Sequence, residues 1–409
     1  MPAFSFLSSW KASLLTRRRY FFLLGSLTTL VLGSISGILL LRPFSKDSPN
    51  QEEDEKRRKN RLKKFCVDIP KVELHSHLNG SIRNATLKDL LSDLSVPIPP
   101  TLQNPDSEES TRTLSECFEI FPLIHLAVST TSSLRRVVQE TLIDFESDNV
   151  IYLELRTTPR TLDEGKVGKR EYVDIVLSEM KKWVEDKDTK LIPRLIISID
   201  RSKGVKEARE NMGIASSLFK MGHDYVVGVD LGGNPTKGSF KEFKGLLEQV
   251  RTEGMKVTVH AGEVDDLEEV NDIVAFRPDR LGHFLCVDGG VWEKMEREGG
   301  DIPIEVCPTS NVMTLGLKGL GEHPILERLV KEGYPVSINT DDKGVFNTKQ
   351  SLELYKVAET LGLNEYTVSG LVWGAVDLVF EGNRRTRARV ARDVMKGIKS
   401  RLDKIEAGG

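Results

Sequence analysis

From Val67 to about residue 380, short β-branched runs alternate with longer stretches of helical periodicity. The runs KVELHSH (71–77), VIYLELR (150–156), LIPRLIISID (191–200), YVVGVDL (225–231), KVTVH (256–260), DRLGH (279–283), IPIEVCP (302–308) and YPVSINT (334–340) predict eight strands. Apolar residues at helical spacing predict helices at 171–186, 205–222, 240–254 and 323–333. LIISI and YVVGV are apolar almost without interruption, the mark of strands covered on both faces. Eight strands separated by helices predict an α/β chain folded as one (β/α)8 TIM barrel, which takes about 250 residues plus insertions. Residues 66–400 supply that length. The stretch 83–149 is too long for one crossover and predicts a helical insertion over the barrel mouth.

The chain before residue 66 has a different pattern. Residues 1–19 form a basic tail, and residues 20–41 are 22 positions without a charge. That length meets the requirement of a membrane-spanning helix, roughly 20 residues. It predicts a single-pass anchor, with a cleaved signal or a spurious extension as the alternatives. Residues 42–65, with the run EEDEKRRKNRLKK, predict a solvated charged linker, and 401–409 a short tail. The sequons NGS (79–81) and NAT (84–86) would be glycosylated in a secretory lumen, and a glycan on Asn79 would fall within the candidate site. The catalytic domain is therefore expected on the cytosolic side, or in the cytosol outright without the anchor.

Composition narrows the picture without naming a chemistry. A hydrophobic content of 39% and a charged content of 29% are those of a globular domain. A net charge of −3 leaves no electrostatic footprint for nucleic acid. The four cysteines are scattered, with no CxxC pair, so neither a disulfide framework nor a cysteine zinc site is expected.

Polar residues gather where the strands end. The side of a barrel carrying those ends hosts its active site. His75 and His77 lie two apart, so both imidazoles face the same way on a strand. With His260 and Asp341 they make a plausible set for one divalent ion such as zinc, leaving room for a water whose pKa falls to around 7. Attack on an aromatic ring carbon also needs an acid, for which Glu263 is placed three residues past His260. His283 suits the orientation of the water, and Asp342 can bind a ring from the other side.

HSHLNGSI, LELRTTPR, DLGGNP, HAGE, RLGH, CPTSN and NTDD, in that order over residues 67–380, resemble the adenosine/AMP deaminase superfamily. The resemblance implies a metal-dependent-hydrolase barrel with one Zn2+ per chain on His75, His77, His260 and Asp341. It further implies Glu263 as proton donor, His283 beside the water, and Gly233 and Asp342 on the purine, with His77 also facing substrate. Two departures matter: Asn79 stands where the adenosine enzymes carry an Asp, and DLGGNP replaces their GDE ending. Both resemble the adenosine deaminase-like branch, which converts N6-methyl-AMP to IMP and methylamine. In that branch the positions of Asn79, His125, Thr157, Thr158, Pro159, Arg160 and Asp200 line the nucleotide pocket, with Arg160 expected on phosphate. His223 and His323 receive no role. The expected partner is a purine nucleotide, and the catalytic domain is expected to be monomeric. The alternatives are an adenosine deaminase and a catalytically silent, membrane-tethered nucleotide-binding protein.

Overall fold

Alternation along the first strand puts Val72 and Leu74 into the surrounding helical layer and Glu73, His75 and His77 towards the axis. The same rule holds around a parallel eight-stranded sheet in the order β1 to β8. These strands are Lys71–His77, Val150–Thr157, Ile192–Asp200, Val226–Gly232, Lys256–Ala261, Arg280–His283, Ile304–Val306 and Val336–Ile338. The two ends of the sheet meet through a parallel bridge between Ser76 and Asp341. There the Asp341 amide donates to the His75 carbonyl at 2.9 Å and the His77 amide donates to the Asp341 carbonyl at 3.1 Å. The near-barrel is thus joined at the residues on which the candidate site depends. This computed structural model describes residues 49–103, 114–186 and 188–408.

Helix α1 (Pro49–Asp68) precedes the sheet, and α2 (Asn84–Asp93), α3 (Pro100–Gln103), α4 (Leu114–Ala127) and α5 (Thr131–Ser147) form the expected insertion. Outer helices follow β2 to β6 in turn: α6 (Lys169–Glu185), α7 (Gly204–Lys220), α8 (Phe240–Thr252), α9 (Leu267–Phe276) and α10 (Gly289–Arg297). After β7 come α11 (Pro308–Thr314) and α12 (Leu326–Glu332); after β8 come α13 (Gln350–Thr360), α14 (Glu365–Val376) and α15 (Arg384–Gly408).

Two expectations about the flanks are corrected. From Pro49 onward the charged linker is helix α1, and its last turns are packed rather than solvated. Leu62, Phe65, Cys66 and Ile69, spaced as one helical face, are buried. Around them Arg61 pairs with Glu365 at 2.8 Å and Lys59 with Glu359 at 2.9 Å. The buried Lys71 ammonium then donates to the carbonyls of Cys66, Val67 and Ile69 at 3.0–3.1 Å, satisfying the open end of the helix. Likewise the tail from 401 is the end of α15, which buries Val390, Val394 and Ile398 and ties Glu406 to the Tyr366 hydroxyl at 2.6 Å. The basic tail and the 20–41 span lie outside the described residues. Among those described, no helix is long and apolar enough to cross a membrane.

The barrel interior is charged rather than aliphatic. Arg156 reaches Glu305 at 2.5 Å, Asp230 at 3.3 Å and the Leu74 carbonyl at 2.9 Å. Arg280 joins Glu305 at 2.5 Å to Glu154 at 2.6 Å and donates to the Leu378 carbonyl at 2.7 Å. Phe380 lies 3.5 Å from ring centroid to the Arg280 guanidinium and packs with Ile196 and Val227 in a small cluster of its own. Burying such charges is tolerable because every carboxylate meets a guanidinium or a hydrogen-bond donor.

Candidate metal and substrate site

The charged interior aims the histidines above it. The Nδ1–H of His75 donates to Glu305 at 2.8 Å, and that of His260 donates to Asp230 at 3.0 Å. Each ring therefore turns a bare Nε2 towards the same point. His77 Nε2 and His260 Nε2 stand 3.3 Å apart, while Asp341 Oδ1 is 3.4 Å from His77 Nε2 and 3.6 Å from His75 Nε2. His75 Nε2 is buried with no protein partner. An orphaned acceptor beside two imidazoles and a carboxylate fits a divalent cation with nitrogen and oxygen ligands. Burial would lower the His260 pKa, yet the neighbouring Asp230 carboxylate pushes it up to about 9. Burial lowers His77 to about 3, against the pull of Asp341. For Asp341 burial acts upward, but the imidazoles of His75, His283 and His77 around it hold it well below the usual range. Asp230 and Asp341 bring negative charge to the three imidazoles, which suits a cation at their centre.

Cys307 was not foreseen. Its Sγ falls with His75 and Asp341 ligand atoms in a group less than 4.8 Å across. Burial raises its thiol pKa well above the ordinary value, so it stays the weaker donor.

Glu263 and His283 converge on the same centre. Glu263 Oε1 lies 3.8 Å from His283 Nε2, which is itself 4.0 Å from Asp341 Oδ2. Burial raises the Glu263 pKa, opposed by the charge on His260. Asp342 is raised well above its normal range by burial and then by Asp341. The two adjacent acids are thus pushed apart, one fit to ligate and the other to donate. Gly80 makes room for Asp342: a Cβ there would sit 1.7 Å from Asp342 Oδ1.

The remaining predicted residues form a second group on the rim. Asn79 lies beside the hydroxyl of Tyr172, on α6, and Thr157 meets that hydroxyl at 2.8 Å. Asn79 Oδ1 is left buried and without a protein partner. Thr158 is half-buried and Pro159 buried, carrying the chain out to Arg160. Arg160 holds the end of α4, donating Nη1 to the His125 carbonyl at 3.1 Å and Nη2 to the Val128 carbonyl. Its Nε is left buried without a protein partner. Burial and then the positive charges of Arg160 and Lys203 lower the His125 pKa, with Asp200 opposing. His125, Arg160, Asp200 and the unforeseen Lys203 therefore share one rim. Asp200 accepts from the Ser202 amide at 2.9 Å and presses on Gly233, where φ is +91° and a Cβ would meet Asp200 Oδ1 at 2.3 Å.

Sequence reasoning missed Glu305, Asp230, Tyr172, Lys203, Asn311 and His323. Glu305 and Asp230 did leave a trace, each being a lone acid within an apolar strand.

The chain is similar to known proteins over most of its length. The adenosine deaminase family model matches residues 70–396. An N6-methyl-AMP deaminase of Xenopus laevis is 35% identical over 322 residues, covering 77% of this chain and 90% of the relative. The apo structure of the N6-methyl-AMP deaminase from Arabidopsis thaliana superposes with a TM-score of 0.74 at 31% identity, over 82% of this chain and 98% of that one. The structure of Arabidopsis ADAL complexed with IMP does so with a TM-score of 0.74 at 31% identity, over 83% and 99%. With the metal-fitting cluster and the ordered strand-end motifs on a parallel eight-stranded near-barrel, this coverage means that the chain belongs to the adenosine deaminase family.

Proposed function

We propose that the protein hydrolyses N6-methyl-AMP to IMP and methylamine, using one Zn2+ held by His75, His77, His260 and Asp341. The observation that carries the reading is the convergence of these four side chains beside His283 and Glu263, whose pKa burial raises. When bound, such an ion supplies the Lewis acidity that lowers the pKa of a water to around 7. His283 orients that water towards C6 of the purine. Glu263 gives its proton to N1 as the water oxygen adds, so charge does not build on the ring. Asp342, holding its own proton, and the Gly233 backbone fix the purine plane. Of the water's two protons, one replaces the proton that Glu263 gave to N1 and the other passes to N6, so methylamine leaves as the C6–N6 bond breaks and the 6-oxo group of IMP remains. Asn79 and Thr157, both beside Tyr172, with Asp200, His125 and Lys203, are suited to the ribose and phosphate end.

Relatives named N6-methyl-AMP deaminase, and a solved neighbour complexed with IMP, support a nucleotide over a nucleoside. The test compares N6-methyl-AMP, AMP and adenosine on one preparation with its zinc quantified. Preference for N6-methyl-AMP is the expected result; preference for adenosine would keep the chemistry and overturn the substrate. Glu263→Ala is expected to lose at least about a hundredfold in kcat while retaining zinc, because a positioned general acid contributes about that much or more. Near-normal turnover by that variant would remove Glu263 from the mechanism. A chain that binds zinc and IMP but turns nothing over would instead be a binding protein. The anchor at 20–41 remains part of this reading, checked by whether the full chain partitions with membranes.

A further inference from the structure

His283 is held from behind by a chain of hydrogen bonds whose direction is decided at both ends. The Cys307 backbone N–H, which can only donate, bonds Asn311 Oδ1 at 3.2 Å. That fixes the Asn311 amide, so its Nδ2 is the atom 2.9 Å from His283 Nδ1. At the far end His323 Nδ1 accepts the backbone N–H of Leu326 at 3.2 Å, so its proton is on Nε2. That proton goes to Asn311 Oδ1 at 3.1 Å, confirming the same orientation from a second side. Asn311, His283 and His323 are all buried, so no solvent competes for these bonds. An Nδ2–H pointing at His283 Nδ1 requires that nitrogen to be bare.

We infer that Asn311, oriented by Cys307 and His323, sets the tautomer of His283 with the proton on Nε2, making His283 a hydrogen-bond donor to the attacking oxygen and not the base that deprotonates it. The inference rests on the deaminase reading for the role of His283, but the tautomer itself does not. Asn311 and His323 are positioning residues, since neither faces the centre. Nε2 is the nitrogen turned to Glu263 and Asp341, so its proton is presented where the water is to be oriented.

Ring-15N histidine in the full-length, zinc-loaded protein tests this directly. There are seven imidazoles to resolve, and His283→Gln identifies the relevant signals by their loss. The expected spectrum has a bare Nδ1 and a protonated Nε2 at His283; a wild-type His283 protonated at Nδ1 overturns the inference. Asn311→Ala is expected to mix the two tautomers and to lower kcat on N6-methyl-AMP about ten- to hundredfold, with KM and zinc content unchanged. Unchanged kcat, or a loss explained by missing zinc with the tautomer intact, would show Asn311 to be structural only. If Asn311→Ala does not fold, the wild-type spectrum still decides. A spectrum as expected, with no turnover of N6-methyl-AMP, would sink the substrate reading and leave the tautomer assignment standing.

Discussion

His283, Phe284 and Asp341 adopt left-handed backbone conformations, with φ between +58° and +62°, although none is glycine. Each such position costs about 1–3 kcal/mol and persists because its surroundings demand it. Here the demand is the convergence of side chains on one centre. Asn79 can be tested at this scale: Asn79→Asp places a charge beside the nucleotide end and should weaken kcat/KM for N6-methyl-AMP about tenfold more than for adenosine. Equal losses would remove Asn79 from the choice between them. His323 gives a pH signature. Burial lowers its pKa from 6.5 to about 4, so between those values the unfolded chain binds a proton that the folded chain refuses. Its effect on stability is therefore absent above pH 6.5 and grows as pH falls to about 4, reaching at most about 3 kcal/mol of destabilisation. Urea midpoints at pH 7 and pH 4.5 should differ less for His323→Gln than for the wild type. The candidate ligands stood out in the sequence because chemistry leaves few residue types able to do such work. Tyr172, Asn311 and His323 were not, because their importance lies in what they touch across the fold.

At the scale of elements, alternation and apolar runs placed all eight strands. The first matches residue for residue, and the last two shorten to three residues each. The ends were the least legible part, since a ladder stops where a neighbour stops pairing, and one chain segment does not contain its neighbour. Helix α1 escaped for another reason: its charged majority hid one apolar face, Leu62, Phe65 and Cys66. Phe65 is 3% exposed. Phe65→Ala should cost about 3–5 kcal/mol, as for a buried aromatic, with zinc content unaffected. Chemical denaturation checks it; a cost below about 1 kcal/mol would mean that α1 rests on the domain without supporting it.

Across the whole molecule, two arginines and three carboxylates at the barrel axis connect the base to the site. Arg280 binds Glu154 below and Glu305 beside it, and Glu305 orients His75. Arg280→Met should destabilise by about 3–5 kcal/mol, because two buried carboxylates each lose a guanidinium partner. It should also weaken zinc retention through His75, measurable by dialysis against a chelator. Intact stability would mean that water or Arg156 can replace the missing guanidinium. Helix α1 has a consequence of another kind. Its Arg61 meets Glu365 across 304 positions of chain. At about 5–20 residues per second, roughly 15–60 s separate the synthesis of the two residues. During that time the apolar face of α1 has been translated but its docking surface has not. The nascent chain must carry this face exposed, or lend it to a chaperone, until α13 and α14 leave the ribosome.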